Sequence, residues 1–113
     1  MSILEELNAL IEGLNIPVET GVFSQKPPST YTVLTPISDT FELFADNKPL
    51  YDIHEVRVSL FSLNNYLKFK NLIVSALLSA GFTITLRKYI SRDDNSGYHQ
   101  FVIDVAKEYE MEE

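Results

Sequence analysis

The chain has no cysteine. That excludes disulfides, thiolate metal sites and thiol nucleophiles, and it suits a reducing compartment. Four glycines are dispersed over 113 residues, so no glycine-rich phosphate loop is present, and no G-x-S-x-G elbow appears. Basic residues are a minority, 9 against 16 acidic ones, for a net charge of −7. A negative field of that kind repels phosphate backbones and argues against sequence-independent DNA binding. Arg87, Lys88 and Arg92 form the best local basic cluster. No apolar run approaches the roughly 20 residues that a spanning helix needs, so no membrane partner is expected. The N-terminus shows no basic stretch ahead of an apolar run, so no signal peptide is expected.

What is present points to a folded chain. The hydrophobic fraction is 45%, with seven Phe and six Tyr, enough apolar surface for a core in one domain over residues 1–113. The pattern is clearest from Tyr51 to Gly81. Val56, Val58 and Leu60 alternate with Glu55, Arg57 and Ser59, the period of a half-buried strand. Beyond Ser62 the period changes, and Leu67, Leu72, Ile73, Ala76, Leu77 and Ala80 trace one face of a helix. Asn64 or Asn65 can cap its start, and Gly81 can end it in the left-handed conformation.

The other elements follow from the same rules. Ser2 to Glu5 reads as a capping box, opening a helix with Leu7, Leu10 and Ile11 on its stripe and Gly13 as its stop. Residues 18–29 read as a connector. Thr30 to Thr35 is a strand, which Pro36 closes or marks as an edge. Phe41, Leu43 and Phe44 suggest a short further strand. Ala45 to Pro49 is turn chemistry, so residues 37–50 read as a long hairpin arm. Phe82 to Leu86, running on as far as Ile90, pairs as a hairpin with Tyr98 to Ala106 across a polar turn. Residues 108–113 read as a frayed acidic tail. The order α-β-β-β-α-β-β predicts an α+β domain with a mostly antiparallel sheet and two helices packed on one face.

Candidate chemistry is sparse. His54 and His99 both fall in strands without a second ligand or a nucleophile at a supporting spacing, and structural or surface roles are expected. Asp93, Asn95 and Gly97 resemble the opening of a calcium loop. However, the turn glycine of such a loop falls on Tyr98 and its twelfth position on Asp104, so a solvated turn is the better reading. No catalytic, cofactor or metal residues are assigned, and the chain is not expected to be an enzyme. The arm is the candidate subunit or tail interface, through Phe41, Phe44, Asp46, Asn47, Lys48 and Tyr51. Its aromatics suit either a core or an interface.

The segments Leu14 to Val18, Phe44 to Lys48, Tyr51 to Phe61 and Phe101 to Tyr109 together resemble small tail terminator, or tail completion, proteins of tailed phages and prophages of Gram-positive bacteria. The resemblance spans nearly the whole chain, and its most specific piece is the Phe44 to Lys48 arm followed by the Tyr51 strand. It implies a homo-oligomeric ring, usually a hexamer and sometimes formed only on the tail. That ring caps the tail tube, meets head connector proteins at the head–tail interface of the virion, and is assembled in the host cytoplasm. It also implies a lumen through which DNA passes without specific binding, and a negative wall would suit such passage. A head-completion or connector protein on the portal side, and a regulatory protein-binding domain outside the virion, are the alternatives.

Overall fold

Residues 2–22, 26–43 and 49–110 are described in a computed structural model. The elements run α1 (Ile3–Glu12), β1 (Val18–Thr20), β2 (Thr30–Leu43), β3 (Pro49–Ser62), α2 (Tyr66–Ser79), β4 (Thr83–Arg92) and β5 (His99–Glu110). The strands form one sheet in the order β1-β2-β3-β5-β4. All neighbours are antiparallel except the β1–β2 pair. The α+β architecture expected from the sequence is the one observed.

Alternation decides the two faces of the sheet. Leu34, Val58 and Ile103 lie in register across three strands, as do Leu60 with Phe101 and Val56 with Val105. All but half-buried Phe101, which packs against them, join Ile3, Leu7 and Ile11 of α1 and Ile73 and Leu77 of α2 in a single buried cluster. Both helices therefore cover the same sheet face.

Local chemistry sets the helix ends. The Ser2 hydroxyl accepts from the Glu5 amide at 3.2 Å, and the Asn65 side chain accepts from the Lys68 amide at 3.3 Å. Each satisfies an otherwise free donor of a first turn. Gly81, at φ 86°, turns the chain out of α2. After α1 the left-handed residue is Asn15, at φ 63°, while Gly13 keeps a right-handed conformation. An ion pair ties α1 to the sheet: Lys107 Nζ lies 2.8 Å from Glu6 Oε2 and 4.6 Å from the centre of the Phe82 ring.

Four expectations are corrected or narrowed. The connector contains a strand, β1, held because Ile16 and Val18 are buried and because the Thr32 amide and hydroxyl both donate to the Pro17 carbonyl. Of the two readings of Pro36 the edge holds and the stop does not: β2 runs on to Leu43 with a register shift between Pro36 and Ser38. Beyond β1 it is an edge strand, where the missing proline N–H costs no ladder bond. On α2 only Ile73 and Leu77 are buried; Leu67 and Leu72 stand 50% and 42% exposed. Finally, the acidic C-terminus is not frayed from residue 108. Glu108 and Tyr109 pair with Ile53 and Asp52 in the sheet, and β5 continues to Glu110.

Candidate assembly surface

The long β2–β3 hairpin is the arm read from the sequence. Phe41 sits in β2 opposite Asp52, and half-buried Tyr51 sits in β3 between Glu42 and Glu110. Phe44, Asp46, Asn47 and Lys48 lie outside the described residues.

At the base of the arm, between β2, β3 and the start of α1, is an open groove of about 990 Å³. Its lining includes Glu5, Asp39, Asp52, His54, Glu55 and Tyr109. His54 Nδ1 lies 3.9 Å from Asp39 Oδ2, beyond hydrogen-bond reach. Its ring meets Tyr109 edge-on with centroids 5.6 Å apart. Glu55 accepts from the Ser38 hydroxyl at 3.2 Å and the Thr85 hydroxyl at 2.9 Å. The second histidine is remote from this groove in the sheet register. His99 Nδ1 lies 2.9 Å from the Tyr89 hydroxyl, and its ring packs against Tyr66. Among the described residues no group of histidine and carboxylate side chains is arranged to hold a metal ion.

The Tyr109 hydroxyl is buried and meets the hydrogen-bond geometry of no described partner. Burial first, and then the charge of nearby Glu6, raise its pKa above the ordinary 10.0. The unfolded chain therefore ionises this phenol before the folded one does. The stabilisation is complete below the unfolded pKa and is lost as pH rises through the folded one. Urea denaturation repeated at increasing pH above 10 should show stability falling less steeply in Tyr109→Phe than in the parent.

The face away from the helices carries polar groups at its centre. Arg57 Nε lies 2.8 Å from Asp104 Oδ1, and a second guanidinium nitrogen lies 3.0 Å from Oδ2. The hydrogen bond that Arg57 donates to Asp104, and then the charge of Asp104, raise the Arg57 pKa. Beside them an aromatic group gathers: Tyr31 stacks on Phe61 at 4.9 Å and meets Tyr98 edge-on at 5.4 Å. Tyr98 donates to the Pro28 carbonyl at 2.5 Å, which pins the segment before β2.

The β4–β5 turn is the solvated turn expected. The Asp93 carboxylate accepts from the Asn95 amide at 2.9 Å. That bond, and then one from the Ser96 hydroxyl, hold its pKa down. Gly97 supplies the positive φ, 82°.

The histidine–carboxylate approach in the groove escaped sequence reasoning, because Asp39, His54 and Tyr109 meet only through strand register. The basic cluster was visible, and the structure places Arg87, Lys88 and Arg92 together on β4.

No family model matches the chain, and no curated protein matches it in sequence. Among solved structures, a chain of the virion of a native gene transfer agent (GTA) particle is similar to it. The alignment covers 93% of this chain and 84% of that one, with a TM-score of 0.56 and 13% identity. At that identity the likeness is one of fold.

Proposed function

We propose that the chain is a virion structural protein without catalytic activity, and specifically a tail terminator subunit that forms a ring between tail tube and head. The observation that carries this is the fold it shares, over nearly its whole length, with a chain of a gene transfer agent virion. The sequence resemblance to small phage tail proteins points the same way. A net charge of −7 suits a lumen wall past which DNA slides.

Capture with purified tail tubes and with portal complexes tests the assignment. A tail terminator binds the tubes. Binding to the portal alone would move the protein to the head side, and binding to neither would remove it from the joint. The arm carries a separate expectation. Replacing Phe41 and Phe44 with Ser should weaken subunit association while circular dichroism and the melting transition stay at parental values. An unfolded double variant would show that these rings belong to the core.

A further inference from the structure

The two edges of the sheet differ in charge. Strand β4 pairs only with β5 among the described strands, and its residues from Thr85 onward are exposed. It carries Arg87, Lys88 and Arg92 and no carboxylate of its own, Arg92 lying 3.7 Å from Asp94 of the following turn. Leu86, Tyr89 and Ile90 stand 38–43% exposed on it. At the opposite edge β1 covers β2 only as far as Leu34, so the edge there is β1 followed by β2 from Thr35 onward. That edge carries Glu19, Asp39 and Glu42 and no lysine or arginine. Val22 and Ile37 stand exposed along it. Long edges with exposed apolar side chains are templates for pairing with another chain. The charges bear on which chain. Two β4 edges side by side would repel, whereas β4 and the β1–β2 edge attract.

Direction and level also agree. Three successive antiparallel pairings separate β2 from β4, so β4 runs opposite to β2 and to β1. Copies turned about an axis along the strands therefore bring β4 antiparallel to the next copy's β1–β2 edge. Following the register across the sheet, Lys88 lies level with Glu19 through Val102, Ser59 and Val33. By the same route Thr83 lies level with Ser38 through Ala106 and Glu55.

We infer that a second copy of this chain adds its β4 to the β1–β2 edge, with Lys88 of one copy against Glu19 of the next, so that the sheet continues from subunit to subunit. This contact is heterologous, and it gives a ring when the rotation between successive copies closes. The inference rests on the ring assignment proposed above.

The parent chain lacks cysteine, so an engineered pair reports cleanly. Residues directly opposite in antiparallel strands lie within disulfide reach. Oxidised Glu19→Cys/Lys88→Cys, in solution and bound to purified tail tubes, should give a ladder of linked species ending in a closed ring. Reductant should abolish the ladder, and neither single variant should form it. Sedimentation velocity should show Lys88→Glu weakening self-association by about tenfold, with Glu19→Lys/Lys88→Glu recovering it. A ring that assembles without the ladder and ignores the charge reversal would overturn the edge pairing and leave the ring assignment standing. A linked dimer that never extends would overturn it in favour of a two-fold contact. A chain that stays monomeric both alone and on tail tubes would overturn the edge pairing and the ring together.

Discussion

Leu77→Ala is expected to lower the unfolding free energy by about 3 kcal/mol. Leu77 is 0% exposed and belongs to the cluster shared by α1, α2 and the central strands. Truncation removes buried methyl groups and leaves a cavity between helix and sheet, which a framework of three long strands cannot close. Domains of this size have unfolding free energies of about 5–15 kcal/mol, so the loss is a large share of the total. The next residue is the control. Leu78 is 59% exposed, and Leu78→Ala should fall within about 0.5 kcal/mol of the parent. Urea denaturation of both variants measures the difference. Equal effects would mean that α2 does not seat on the sheet through Ile73 and Leu77.

Arg57→Ala should cost about 2 kcal/mol, less than the 3–5 typical of a fully buried pair because the guanidinium is partly in water. The Asp104 side chain is 8% exposed and that of Arg57 42%. Without Arg57 the carboxylate stays in a desolvated position and loses both bonds of the guanidinium fork. Arg57→Lys should fall between parent and Ala, since an ammonium supplies the charge without the planar fork. The double variant Arg57→Met/Asp104→Leu should regain most of the loss, because it leaves no unpaired charge behind. Chemical denaturation of the four proteins under one buffer decides the order. A double variant as unstable as Arg57→Ala would show that the lost packing of Arg57, and not the stranded carboxylate, sets the cost.

Much of this architecture was legible because it follows short periods. Val56, Val58 and Leu60 alternate, as do Phe101, Ile103 and Val105, and each set lies on the helix-covered face. The ends of α2 were legible because Asn65 and Gly81 perform local chemistry. What escaped depends on contacts distant in sequence. Strand β1 spans only Val18–Thr20, too short for a period, and it exists through burial and through Thr32. Pro36 left two courses open, a stop or an edge, and only the reach of β1 along β2 decides for the edge. The exposure of Leu67 and Leu72 depends on how far the sheet extends beneath α2, which helical spacing does not encode. The Arg57–Asp104 pair joins two strands 47 residues apart, and each charge alone reads as an ordinary solvent-facing position. The arm was legible as a hairpin, while the groove at its base exists only once α1 is docked beside it.

The assignment as a tail terminator is tested most directly by electron microscopy of particles from a prophage lacking this gene. The account predicts overlong or irregular tails beside DNA-filled, unattached heads, because the step that stops tube growth and offers the docking surface is missing. Tails of normal length beside heads that leak or fail to join would contradict the terminator assignment and place the protein on the portal side. Normal virions would contradict a role at the joint altogether.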